Sequence, residues 1–388
     1  MSARTLRGSV HASNVPDTPG KVLSGSVQAF AAAPDRDSSE LDGPLPAFPD
    51  DEVAALLAPL RGAKGIVLAV SGGPDSLALL LLAWRWRSLV AAPPMIVASV
   101  DHALRPGSAD EVAVVAAQSA RFGLDHRSLR WEGPKPVTGI HEAARAERYR
   151  LLERAVRDAG ATHLATAHHA DDQAETVLLR LARGSGIGGL GAMRFASPLS
   201  PGVTLARPLL GLPKARLVTL VKAVGLSAID DPSNRDPRFA RAILRGQAAA
   251  RETLGLTSSR LVSLARRAAR ADDAIERATD DAARRCELTD AGAAMAEVRL
   301  SPAFFLEPEE VQLRLLRRGI ARMAGSLADG PHLRLERLEA LTEALSAARA
   351  RGEALKRTLG GAVIRLSRSG HIHMSGEGPR RRGKIRNI

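Results

Sequence analysis

The 388-residue chain carries one cysteine, Cys286, which excludes an intrachain disulfide and any thiolate metal cluster or paired-thiol relay. Aromatic residues make up only 3% of it, so its cores must be built from Leu, Val and Ala. No stretch approaches the roughly 20 consecutive apolar residues that a membrane-spanning helix needs. The most apolar run, Leu77 to Trp84, ends at Arg85. Arg4 and Arg7 near the start are not followed by an apolar segment of the secretory kind. These absences predict a soluble, cytoplasmic protein with no membrane partner.

What is abundant is arginine. Lys and Arg total 55 against 42 Asp and Glu, a formal net charge of +13. Such a surplus suits a polyanionic partner, because guanidinium groups pair with phosphate oxygens and release counterions on binding. A GC-rich genome would also raise Arg together with Ala and Gly, so charge alone does not choose.

Residues 1–45 mix Ser, Pro, Gly and Asp without periodicity and read as a disordered tail. From about Asp51 short apolar strands alternate with amphipathic helices. Strands are expected at 65–70, 94–100, 126–131, 162–167 and 203–210, and helices at 75–87, 108–122, 138–159, 172–182 and 214–224. That alternation predicts an α/β fold with a doubly wound parallel sheet over residues 46–228. Ligands in such sheets lie beyond the carboxyl ends of the strands, where Ser71-Gly-Gly-Pro-Asp-Ser76, Asp101-His102 and His168-His169 all fall. After Asp231 the pattern changes. Residues 229–300 read as a basic helical region, with helices at 239–251 and 261–285. Residues 301–388 read as a small α+β region with a helix pair over 309–351, a strand–turn–strand at 358–373 and a basic tail.

Three segments carry candidate chemistry. In the first, Gly72 and Gly73 let backbone N–H groups turn inward around an anion at a helix N-terminus, with Ser71 and Ser76 adding hydroxyl donors. No Gly-Lys-Ser/Thr follows, so the loop is not a Walker A motif. The competing reading is an ordinary strand-to-helix turn capped by Asp75 or Ser76. In the second, His102 can orient a ligand or donate a proton, and Arg105 can reach a phosphate. In the third, Asp172 and Glu175 stand three residues apart in a first helical turn, where paired carboxylates can hold an ammonium group and take its proton. Asp-x-x-Glu is equally a capping box with Asp172 as N-cap. Gly186 to Gly191 matches GxGxxG but follows a helix, so it reads as a mobile loop over the site and not as a dinucleotide fingerprint.

The first loop resembles the phosphate loop of the ATP pyrophosphatase (PP-loop) superfamily, which implies adenylation, with ATP split between its α and β phosphates. Taken with Ala144-Arg-Ala-Glu-Arg-Tyr149, the 168–176 segment, Arg183 to Leu190, Arg207-Pro-Leu-Leu210 and Asp231-Pro-Ser-Asn-Arg-Asp236, residues 60–245 resemble the tRNA(Ile)-lysidine synthetases. The resemblance implies an ATP-dependent carbon–nitrogen ligase acting on tRNA(Ile) with a CAU anticodon and on free L-lysine, changing the codon read from AUG to AUA, with residues 229–300 and 301–388 binding the tRNA. It implies that Ser71, Gly72, Gly73, Pro74, Asp75, Ser76 and His102 bind ATP, and that Mg²⁺ neutralises the phosphates beside Asp75. Asp172 and Glu175 would hold and deprotonate the lysine amine, with Arg105 and Arg148 on phosphate or the lysine carboxylate; Asp75 would serve as metal ligand or base. A homodimer is compatible with the sequence. One departure stands out, Ala242 where the family has Asn within Arg-Asn-x-x-Arg. Two other readings are a tRNA 2-thiocytidine enzyme, which would need several cysteines, and a non-catalytic nucleotide-responsive RNA binder, which would need neither the intact loop nor the acid pair.

Overall fold

A computed structural model of the chain describes residues 43–229, 240–290, 297–323 and 333–377. The expected motif at 231–236 and the basic tail at 380–386 lie outside these residues, as does the N-terminal segment up to residue 42. No described helix is long and apolar enough to cross a membrane.

The first body is a six-stranded sheet. Its elements run α1 (Asp50–Leu57), β1 (Ile66–Ala69), α2 (Pro74–Leu89), β2 (Met95–Asp101), α3 (Ser108–Arg121), β3 (Asp125–Arg130), α4 (Ile140–Asp158), β4 (His163–Ala165), α5 (Ala170–Ala182), α6 (Ile187–Leu190), β5 (Ala196–Ser200), β6 (Val203–Ala206) and α7 (Lys214–Val224). The strand order is β3-β2-β1-β4-β6-β5. Helices cover both faces, so the central strands are apolar on both sides, and Ile66, Val67 and Leu68 are all buried. On one face α1, α2, α3 and α7 share a core with β1 and β2. The middle of α2 lies inside it: every residue from Leu77 to Ala83 is buried, which is why that run is apolar all round. On the other face Leu152 and Val156 of α4 pack on Val67, Ala98, Leu164, Val203 and Leu205.

One strand departs from the expected parallel sheet. β5 pairs antiparallel with β6, with a register shift between Pro198 and Ser200. Proline cannot donate to a ladder, and here it sits in the edge strand, where one is tolerated. Strand order reverses between β1 and β4, since β2 and β3 follow on one side while β6 and β5 follow on the other. The loops leaving β1 and β4 therefore flank a topological switch point, the usual crevice of such sheets.

Where one helix was expected at 239–251 there are two short ones, α8 (Ala240–Gly246) and α9 (Ala248–Thr253), broken beside Gly246. Thr257 then caps the long α10 (Ser258–Arg285), its hydroxyl accepting from the Arg260 N–H at 3.3 Å. The second body is a five-stranded antiparallel sheet of β7 (Thr289–Asp290), β8 (Glu297–Leu300), β9 (Leu355–Leu359), β10 (Ala362–Leu366) and β11 (Ile372–Gly376), in the order β7-β8-β11-β10-β9. Helices α11 (Glu309–Met323) and α12 (Leu335–Ala350) and the end of α10 pack on it. The expected strand pair at 358–373 is thus part of a meander. Gly360 and Gly361, both at positive φ, make the two-residue turn from β9 to β10.

Candidate active site

The loop after β1 closes on itself. Ser76 Oγ accepts from the Ser71 N–H at 3.1 Å and donates to the Gly73 carbonyl at 2.9 Å, and the two serine hydroxyls lie 3.4 Å apart. Gly72 sits at φ +83°, and a Cβ there would come within 2.3 Å of the Ile229 side chain, so any other residue would be strained in its backbone and would push Ile229 aside. Its carbonyl accepts from the Ile229 N–H at 2.9 Å. Helix α2 opens with Gly73 at the cap position, Pro74 behind it and no side-chain cap. Capping by Asp75 or Ser76 is therefore not what the turn is for. Its first N–H groups have no side chain of their own to satisfy them, as an anion site requires.

The cap of α5 also differs from the expected one. His169 is the N-cap: its Nδ1 accepts from the N–H groups of Asp171 and Asp172, and Asp172 Oδ2 accepts from the His169 N–H. Asp172 is thus the return half of the box, and Glu175 takes no part in capping. Accepting at Nδ1 leaves the imidazole proton on Nε2. That nitrogen faces Asp75 Oδ2 at 3.5 Å and Asp172 Oδ2 at 3.4 Å. Burial disfavours the charged ring, but the bond to Asp75 and the charges of Asp172 and Asp75 outweigh it and hold its pKa above the ordinary value.

Asp75 joins the phosphate loop to this cluster. Its Oδ2 accepts from Lys214 Nζ at 2.8 Å, while Oδ1 is buried without a hydrogen-bond partner. Burial pushes its carboxyl up, and His169 and Lys214 more than reverse this, leaving it below the usual range. Glu175 is buried beside Asp172. Arg245 of α8 reaches both acids: Nε lies 2.6 Å from Glu175 Oε1, and Nη2 lies 3.2 Å from Glu175 Oε2 and 3.3 Å from Asp172 Oδ1. Burial still keeps the Glu175 carboxyl above its ordinary pKa despite that guanidinium.

A cationic wall stands opposite. Burial pushes His168 down to about 4; Asp172 opposes this, and the charges of Arg207, Arg148 and Arg145 reinforce it. The ring is therefore neutral at pH 7, and Arg148, half-buried with its guanidinium 5.5 Å from the Tyr149 ring centroid, lies near enough to act on His168. His102 lies at the end of β2 with its ring edge-on to Trp131, centroids 6.2 Å apart. Arg105 is half-exposed and paired with Glu111 of α3 at 2.8 Å. The structure thus gathers Ser71 to Ser76, Asp172, Glu175 and Arg148 at the crevice, and engages Arg105 on α3. Among the described residues no group of three or more His, Cys, Asp or Glu side chains could hold a metal.

Four contributors were missed from sequence: His169 as cap, Lys214, Arg207 and Arg245. Arg207 and Arg245 had a signal, the first in the Arg207 to Leu210 segment and the second in the arginines four apart at 241 and 245. The side chain at 242 lies outside the described residues. The Gly186 to Gly191 segment has a different part from a mobile loop. It forms the short α6, and a Cβ on Gly191 would meet the Ala269 backbone at 3.3 Å, so its glycines let α10 approach closely. Cys286 is buried in the C-terminal core, where burial raises its thiol to about 11, far from any sulfur chemistry at the crevice.

A glycine-lined anion loop and a buried acid pair at the switch point of this sheet define a PP-loop nucleotide-using domain. The PP-loop domain family matches residues 49–252. Among curated proteins, the tRNA(Ile)-lysidine synthase of Rhodopseudomonas palustris is 48% identical over 342 residues, covering 86% of this chain and 96% of that protein. The protein of the same name from Bradyrhizobium sp. (strain BTAi1) is 46% identical over 349 residues, covering 85% and 95%. That from Methylobacterium nodulans is 48% identical over 324 residues, covering 83% and 93%. The chain belongs to the tRNA(Ile)-lysidine synthase family.

Proposed function

We propose that the chain forms lysidine on tRNA(Ile), joining the ε-amine of free lysine to C2 of the wobble cytidine of the CAU anticodon at the expense of ATP. The observation that carries this reading is the unbroken run of contacts from the phosphate loop to the acid pair, Asp75 to His169 to Asp172 and, through Arg245, to Glu175. It supports a phosphate cradle and an amine-binding pair that share one crevice.

In the first step the cytidine C2 oxygen attacks the α-phosphorus of ATP held by Ser71, Ser76 and the open N-terminus of α2, and the bond to pyrophosphate breaks. Arg148 and the arginines beside it offset the charge that develops. In the second step the ε-amine attacks C2, the C2–O bond to AMP breaks, and the amine's proton passes to Glu175 or Asp172. Burial holds the Glu175 carboxyl above its ordinary pKa, which strengthens it as a proton acceptor. Mg²⁺ fits this site: the buried, unpartnered Asp75 Oδ1 offers one hard oxygen, and Mg²⁺ is commonly held by one or two carboxylates plus substrate phosphates. When bound it neutralises phosphate charge. The basic α10, with Arg260, Arg266, Arg267 and Arg270, supports contact with the RNA backbone.

Incubating the protein with labelled lysine, ATP and unmodified tRNA(Ile), then digesting the RNA to nucleosides, tests the reading. Label in a modified cytidine with stoichiometric AMP and pyrophosphate is expected. Label absent under conditions that support ATP–pyrophosphate exchange would overturn it.

A further inference from the structure

The two acids assigned above to the lysine amine are already holding a cation. Arg245 lies across Glu175 in a two-point contact and touches Asp172 at 3.3 Å. Glu175 and Asp172 are rooted in the buried first turns of α5, with side chains only 3% and 12% exposed, whereas the Arg245 side chain is 40% exposed. Its helix, α8, is one of the shortest in the chain and contributes to none of the apolar cores that hold α5 and α10. The cation is thus the removable half of the pair. A guanidinium and an alkylammonium compete for the same carboxylate oxygens, and both cannot occupy them at once.

We propose that Arg245 is a built-in plug of the amine site, which excludes free lysine until α8 moves. Resting on the assignment of Asp172 and Glu175 to the amine, the plug gives the reaction an order. With the guanidinium in place, lysine sees a filled site. Of the reaction's ligands, RNA and ATP carry the phosphates able to draw a guanidinium away. Arg241, one turn earlier on α8, extends the same logic, since its charge is felt at both Glu175 and Arg148. The amine would then reach the crevice only when a nucleotide-bearing partner has engaged α8. Lysine would be kept out while no activated cytidine awaits it.

The test is direct calorimetric binding of lysine to the full chain at pH 8, without RNA or ATP, comparing the parent with Arg245→Gln, Arg245→Lys and Glu175→Gln. If the plugged form outweighs the open one by about ten to one, removing the plug tightens lysine by about tenfold, because apparent affinity scales with the open fraction. Arg245→Gln should show that gain, and Arg245→Lys, which keeps a cation at the acids, should bind like the parent. Thermal melts confirm that both variants are folded. Lysine binding to Arg245→Gln that is equal to or weaker than the parent's overturns the plug, provided Glu175→Gln binds more weakly than the parent. If Glu175→Gln binds lysine as the parent does, the amine-site assignment itself fails and the plug falls with it. Added tRNA(Ile) should tighten lysine for the parent and leave Arg245→Gln unchanged; tightening of both to the same extent also counts against the plug.

Discussion

Two of the arginine–carboxylate networks among the described residues are built inside out relative to each other. In the crevice the acids Glu175 and Asp172 are buried and the arginine is at the rim. Between α10 and α11 the arrangement is reversed. Arg314 is 9% exposed and is held by Asp272 at 2.9 Å, Glu276 at 2.5 Å and Glu310 at 3.0 Å, with the two glutamates more than 40% exposed. Arg318 extends the ladder to Glu276 and Asp280. Asp272 also binds Arg194 of the first body at 2.9 Å, so one carboxylate pins α10 to both halves. The partner at the rim is the one that water or a ligand can replace. A buried cation ringed by acids is a permanent fastening, whereas buried acids under a rim cation form a site whose occupant can be exchanged.

The largest expected effect breaks the crevice side of this contrast. Glu175→Gln keeps the shape and loses the charge, and should lower lysidine formation by about 10²- to 10⁴-fold, the usual worth of a positioned proton acceptor. Pyrophosphate exchange, which depends on the loop and not on the amine, should persist. The pH profile carries the sign. Glu175 accepts a proton only when ionised, so the rate of lysine transfer should fall as pH drops through its pKa. That limb should lie above the ordinary 4.5, because burial raises the carboxyl. Single-turnover transfer to pre-adenylated tRNA, measured across pH, checks both points, and a limb at or below 4.5 would remove Glu175 from the role.

The fastening should respond in stability and not in chemistry. Arg314→Ala strands no buried charge, because Glu276 and Glu310 rehydrate where they stand and Asp272 keeps its pairing with Arg194. The loss is then that of a few charge-assisted hydrogen bonds, about 1.5–3 kcal/mol by urea unfolding. Lysine and ATP binding per folded molecule should not change. A shift in lysine affinity would mean that the ladder transmits to the crevice and that the two networks are not independent.

How much of this was legible in the sequence follows the same division between local and long-range causes. The Gly-Gly pair after an apolar strand announces an anion loop because its requirement is local: positive φ at Gly72 and an open helix end. The parallel sheet was legible because strands buried on both faces are continuously apolar. By contrast, β5 was missed because Pro198 argues against a strand unless it is known to lie at an edge. β9 was missed because Leu355 to Leu359 is mostly polar and exposed, and Gly360-Gly361 was not taken as a turn. The acids at 172 and 175 were found, but the local pattern credited Asp172 with capping its own helix. The actual cap is His169, a residue type seldom expected there. Arg245 and Lys214 lie 70 and 139 residues from the acids they meet, and no spacing rule reaches that far.

The smallest expected effect comes from a pair in which neither partner is inside. Glu153 and Arg157, one turn apart on α4, lie 2.9 Å from each other with side chains 29% and 51% exposed. Water can replace either partner, and salt screens what attraction is left, so an i,i+4 pair of this kind contributes only about 0.3–0.5 kcal/mol. Arg157 has further acceptors in Ser200 Oγ at 2.9 Å and the Pro201 carbonyl at 3.3 Å, so it stays anchored when the glutamate is removed. Glu153→Ala should therefore leave the urea midpoint nearly unchanged and the activity untouched. A loss comparable to that of Arg314→Ala would show that distance between charges, and not which partner is buried, sets what an arginine–carboxylate contact is worth in this fold. The plug at Arg245 would then lose its physical basis, because a rim cation would be as firmly held as a buried one.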